Sequence, residues 1–181
     1  MSSTFSERAH TIAATARQYI GSTRFRHRYR PIRQSDALLG WRVVDVANDG
    51  DDSCASFASH VLVANGLMRR TRSTIGTMLG AMEQRGWFPA DEAAIGAIAL
   101  WGFREDVQPD ETGFGHSGIV VGDGLFVSHS SFERTPIEHL GELRDGRQPV
   151  AYYAHDALFT PALPQAATAP LYSPSQQYPA V

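Results

Sequence analysis

Lysine is missing from this 181-residue chain; all 16 basic positions are arginine. That absence by itself says little about chemistry. Cysteine occurs once, so no internal disulfide can form and the fold does not depend on one. The thiol is left free, which suits a reducing compartment or a catalytic role. No apolar run approaches the roughly 18 residues needed to cross a bilayer, so no membrane partner is expected. The opening Met1-Ser2-Ser3-Thr4-Phe5-Ser6-Glu7-Arg8 lacks the apolar stretch of a signal peptide. The expectation is therefore a cytoplasmic chain that reaches any external site by a non-classical route: a secretion apparatus, a phage particle or lysis. Excess positive charge is absent too. A net charge of −3 argues against general binding to nucleic acid.

What is present reads as one globular domain. Hydrophobic residues make up 43% and charged residues 19%, and the length suffices to bury a sizeable core. Ser6 and Glu7 open a helix with Ile12, Ala13, Ala16, Tyr19 and Ile20 at helical spacing, ending at Gly21. Arg24-Phe25-Arg26-His27-Arg28-Tyr29-Arg30 alternates arginine with rings, which predicts an extended segment with a cationic face. That face could be solvated or could grip an anionic partner. Residues 31–53 read as mostly loop, with a short strand at Trp41-Arg42-Val43-Val44. A helix is expected from Cys54, with Phe57, Ala58, Val61, Leu62 and Ala64 inward, and another from Ser73 to Arg85. Strands follow at 94–101, at 149–154, and in a hairpin turning at Gly122-Asp123-Gly124. From Pro161 onward Pro, Ala, Ser and Gln dominate without apolar period, so residues 161–181 read as a disordered tail beyond a single 1–160 domain. Helices first and antiparallel strands after make an α+β arrangement.

Cys54 stands where a polar loop gives way to an apolar helix. The free N–H groups of a first turn stabilise a thiolate and would lower its pKa. Asp51 and Asp52 are expected to cap that helix, although their charge opposes thiolate formation. His116, in Gly115-His116-Ser117-Gly118-Ile119-Val120-Val121, enters an apolar strand. A cysteine at a helix start and a histidine at a strand start are the parts of a Cys–His hydrolase. The plainer alternative is a small buried cysteine and an unrelated histidine. A third polar group is needed to hold the imidazole, and Ser128-His129-Ser130-Ser131 offers candidates. Ser128 and His129 face opposite ways on a regular strand, so only one can serve. His129 is preferred because an imidazole orients better than a hydroxyl. His10, His27, His60, His139 and His155 are scattered, with no metal-ligand spacing.

The order of these pieces resembles the NlpC-type cell-wall cysteine peptidase superfamily. Ala16-Arg17-Gln18-Tyr19-Ile20-Gly21 is similar to its opening helix and Ser53-Cys54-Ala55-Ser56-Phe57 to its Asp-Cys-Ser-Gly-Phe motif. Ile95-Gly96-Ala97-Ile98-Ala99-Leu100-Trp101 is similar to its Pro-Gly-Asp-Leu-Val-Leu-Trp strand. The hairpin from His116 to Ser131 is similar to its His-Val-Gly-Ile-Tyr-Ile-Gly-Asn-Gly-Gln-Phe-Ile-His-Ala-Ser, and is the most specific match. Ser53, Ser56 and Ala97 depart from the pattern, where Asp, Gly and Asp are usual. Phe25 is the nearest candidate for an aromatic that contacts substrate.

The resemblance implies a papain-like core, with N-terminal helices packed on an antiparallel sheet. It implies a cysteine amidase or endopeptidase acting on peptidoglycan stem peptides, with Cys54 as nucleophile, His116 as proton carrier and His129 (or Ser128) as orienting group. It implies no metal and no organic cofactor. Action in the cell wall or periplasm as a delivered effector would make an immunity or inhibitor protein a natural partner. Two other functions stay open: a cytoplasmic acyltransferase or deamidase using the same pair, and a non-catalytic binding module.

Overall fold

The computed structural model describes residues 6–33, 41–104 and 112–159; the tail expected from Pro161 lies outside the described residues. Helix α1 (Glu7–Gln18) starts where expected, because the Ser6 hydroxyl accepts from the Ala9 N–H. The same hydroxyl donates to Ala157 O at 2.5 Å, and Ser6 N–H donates to Leu158 O at 2.9 Å. Those bonds tie the start of α1 to the last described turn. Its buried face is Ala9, Ile12, Ala13 and Ala16, small enough for close approach to the sheet.

Helix α2 (Cys54–Ala64) buries Ala55, Ser56, Phe57, Ala58, Ser59, Val61 and Leu62, residues found on every side of the helix. A helix apolar all round belongs in a core, not on a surface. Helix α3 (Ile75–Glu83) is capped by Thr74 and buries Ile75, Met78, Leu79 and Met82.

Strands β1 (Tyr29–Arg33) and β2 (Trp41–Asp45) form a separate antiparallel ribbon. The other six strands make one antiparallel sheet: β3 (Trp87–Ala90), β4 (Ile98–Gly102), β5 (Phe114–Gly122), β6 (Leu125–Ser130), β7 (Thr135–Leu140) and β8 (Pro149–His155). Their order is β3-β8-β4-β5-β6-β7, and helices α1 and α2 pack against β5 at the centre. The chain is thus α+β, with helices preceding the main sheet.

Three differences from the sequence expectation have physical causes. The strand expected at 94–101 begins only at Ile98. Gly96 sits at φ +83° and the Ala97 N–H closes a turn on Ala94 O, so apolar composition there reflects burial in a turn. Strands β3 and β7 escape period-two reading because each is a short edge strand carrying a proline, Pro89 or Pro136. The Arg24–Arg30 segment is not one extended stretch: Thr23–Phe25 is a 3-10 turn, and pairing begins only at Tyr29.

Register fixes what faces what. Leu100 lies opposite Ser117, Trp101 opposite His116, Gly118 opposite Ser128 and His129 opposite Pro136. Paired residues share a face and neighbours alternate. Ser117, Ile119, Val127 and His129 therefore lie on one face of the sheet, and His116, Gly118, Trp101, Phe126 and Ser128 on the other.

Candidate active site

Cys54 is the first residue of α2, and its thiol packs against Ser117 on β5. The helix start is anchored by Ser53, whose buried hydroxyl donates to Phe25 O at 2.5 Å. Ser53 has helical backbone angles and its side chain makes no cap. Asp51 and Asp52 do not cap the helix either. Both line the adjacent cavity, and Asp52 is held above the usual carboxylate range by burial and then by Asp51. The expected capping is therefore corrected.

The electrostatics of the thiol also differ from expectation. Burial pushes the Cys54 thiol above its ordinary value. Contacts with the Ser117 hydroxyl and backbone and with the Ala55 backbone pull it partly back, and Asp52 pushes it up again. Desolvation outweighs the helix terminus because a thiolate in an apolar setting loses its hydration. Ser117 Oγ is buried with no hydrogen bond of ordinary geometry among the described residues, and the thiol is one of its neighbours.

His116 lines the same cavity as Cys54, a space of about 860 Å³ that Ala55, Phe103, Phe114, Phe132, Arg30 and Arg147 also border. Its ring lies edge-on to Trp101 at 5.4 Å. Burial, then Arg147 and two neighbouring histidines, hold the imidazole down at about 3, so it is neutral at neutral pH. His116 Nε2 is buried and has no hydrogen-bond partner among the described residues. Cys54 and His116 thus border one cavity, but the thiol packs on the Ser117 face of β5 while His116 belongs to the opposite face with Trp101, and no hydrogen bond joins them; at rest they are a thiol and a neutral imidazole.

His129 is not brought to that cavity. It is 2% exposed, sits under Gly50 and meets the Phe25 ring at 6.1 Å. Neither ring nitrogen has a hydrogen-bond partner among the described residues, and burial holds the group down at about 4. Without a register shift between Gly118 and Val120, the alternation puts Ser128, not His129, on the face of His116. Ser128 Oγ lies 2.8 Å from His139 Nε2, a contact the scattered spacing of the histidines did not reveal.

The remaining candidates have structural roles. Phe25 is buried among Tyr19, Phe57 and His60 and does not border the cavity. The aromatics that do are Phe103, Phe114 and Phe132; Phe114 stands two residues before His116, which is the signal that could have found it. Arg28 turns inward, its guanidinium donating to Ser56 Oγ, Thr71 O and Thr71 Oγ1. It clamps α2 to the loop before α3. His60 accepts or donates at Tyr19 Oη, 3.1 Å away, in the same aromatic cluster. Among the described residues no three of His, Cys, Asp and Glu gather as a metal site would require. No family model matches the sequence, and the comparison with curated proteins gives no match.

Proposed function

We propose that this chain is a cysteine hydrolase with a papain-like, NlpC-type site, cutting an amide bond in peptidoglycan stem peptides. One observation carries the reading: the first residue of a buried helix, Cys54, and a strand-entry histidine, His116, border one cavity. A cavity of about 860 Å³ has room for a short peptide. Its rim holds both signs of charge, Asp51 and Asp52 against Arg30 and Arg147, which suits a peptide bearing amine and carboxylate groups.

In this reading the Cys54 proton passes to His116 as Sγ attacks the scissile carbonyl, because the resting pair is uncharged. The backbone N–H of Cys54, at the helix start, faces the developing oxyanion. His116 then protonates the leaving amine, and water releases the acyl group. The enzyme would act in the cell wall or periplasm of a target cell, and an inhibitor or immunity protein would cover the cavity in the producing cell.

The test is incubation of the protein, and of Cys54→Ala, with purified peptidoglycan, followed by mass spectrometry of the soluble products. Fragments released only by the unaltered protein are expected, and their masses identify the bond. Release that survives Cys54→Ala sinks the mechanism. An intact wall together with an alkylatable Cys54 moves the same pair to acyl transfer or deamidation.

A further inference from the structure

We propose that the loop 68–72 and the end of α3 enclose a binding site for a diphosphate group. The site shares no residue with the Cys54 cavity and does not depend on how that cavity is read.

The site is a cavity of about 480 Å³ whose border includes Arg69, Arg70, Arg72 and Arg85, together with Met68 and Gln84. Four of the chain's 16 basic residues thus meet at one hollow, and no carboxylate borders it among the described residues. Elsewhere arginines find acids: Arg17 pairs with Glu138 at 2.6 Å, Arg147 with Asp145 at 2.7 Å, and Arg134 with Asp49. None of the four has an ion pair among the described residues. Glu83, the acid nearest them along the chain, accepts from Tyr153 Oη at 3.2 Å and does not border the cavity. Arg72 Nε is buried with no hydrogen-bond partner among the described residues, a donor that calls for an acceptor.

Gathered cations repel one another. Arg28, whose guanidinium donates to Thr71 O of the same loop, is held below its ordinary value by burial and then by repulsion from Arg30 and Arg72. The C-terminal end of α3 offsets little of this, since a helix dipole supplies only about half a negative charge against four positive ones. A bound anion supplies the balance.

The cluster is fixed through its main chain. Arg72 N–H donates to Ser59 Oγ at 2.8 Å, and that hydroxyl, buried on α2, donates to Arg72 O at 3.2 Å. Met68 N–H donates to Leu62 O at 3.3 Å, and Arg85 O accepts from His155 Nε2 at 3.0 Å. Arginines on an anchored backbone lose less freedom when a ligand arrives.

The donors set the ligand chemistry. Guanidinium forks pair bidentately with phosphate oxygens. One phosphate brings at most about two negative charges, so two joined phosphates come closer to balancing the cluster. The volume lies within the usual range of small-molecule sites and leaves room for an organic group beyond the phosphates.

The experiment is isothermal titration calorimetry of the full chain, without divalent metal, against ADP, sodium pyrophosphate and sodium phosphate. The unaltered protein should bind one pyrophosphate or one ADP per chain, and phosphate at least about tenfold more weakly. Arg70→Gln and Arg72→Gln should each weaken both diphosphates by about tenfold or more, as loss of a charged hydrogen bond does. Arg17→Gln, which removes one positive charge outside the cavity, should leave both affinities unchanged. Arg69 and Arg70 are exposed, so Arg69→Gln/Arg70→Gln carries the same readout if Arg72→Gln fails to fold. ADP bound more tightly than pyrophosphate supports a site that also holds the organic group; equal affinities support one that holds the diphosphate alone. No binding of either diphosphate at millimolar concentration, phosphate bound as tightly as pyrophosphate, or an equal loss in Arg17→Gln overturns the proposal.

Discussion

At the scale of single residues, two effects compete at Cys54. The first turn of α2 should stabilise a thiolate, by about 1 kcal/mol for a group at a helix end. Removing the sulfur from water works against it and wins, since burial is the largest influence on this thiol. Alkylation by iodoacetamide should therefore accelerate with pH beyond 9.0, the ordinary value, with no plateau near neutrality. A plateau below pH 7 would show that the helix terminus dominates after all. Ser117 is the neighbour that partly offsets burial, so Ser117→Ala should slow alkylation several-fold at pH 8.5 and move the midpoint further alkaline. Equal rates for the two proteins would remove Ser117 from the thiol's surroundings. Nothing in the sequence singled out Ser117, since a serine in an apolar strand reads as a neutral filler until the helix start is laid across it.

Among the elements, the packing of α1 on the sheet depends on one close approach. Gly96 has φ +83°, and a Cβ there would lie 3.2 Å from Ala9 Cα and 3.0 Å from Leu158 Cδ2. Gly96→Ala combines a disfavoured backbone angle with overpacking, each worth roughly 1–3 kcal/mol. The urea midpoint should fall with the slope m unchanged; an unaltered midpoint would mean that α1 and the last described turn yield freely. The hairpin of β5 and β6 was legible from Gly122-Asp123-Gly124 between alternating apolar runs. Strand β7 was not, because Thr135–Leu140 buries only Pro136 and exposes Leu140. As an edge strand it has a partner on one side only and little apolar demand to leave in its sequence.

For the whole molecule, two neutral histidines, the buried His129 and the half-buried His116, make stability depend on pH. His116 and His129 are held at about 3 and about 4, below the 6.5 of an unfolded chain. Between those values the unfolded state binds more protons, so stability rises with pH. It is complete above about 6.5 and lost progressively as pH falls towards the folded values. At pH 5 His116 alone should cost about 2 kcal/mol relative to pH 7. Denaturant unfolding at both pH values measures the loss, and a loss no smaller in His116→Gln would assign it to other groups. The sequence by itself determined the α+β order, the starts of the first two helices, the central hairpin and the choice of Cys54 and His116 as candidates; the third helix starts at Ile75, two residues later than expected. The sequence could do so because caps, 3.6- and 2-residue periods and turn glycines act within a few neighbours along the chain. The tertiary structure decided the rest. Which of Ser128 and His129 faces His116, what the thiol touches and how far each group is stripped of water depend on strand register and burial. Those are set by contacts between segments dozens of residues apart, where a shift of one position turns a side chain to the other face.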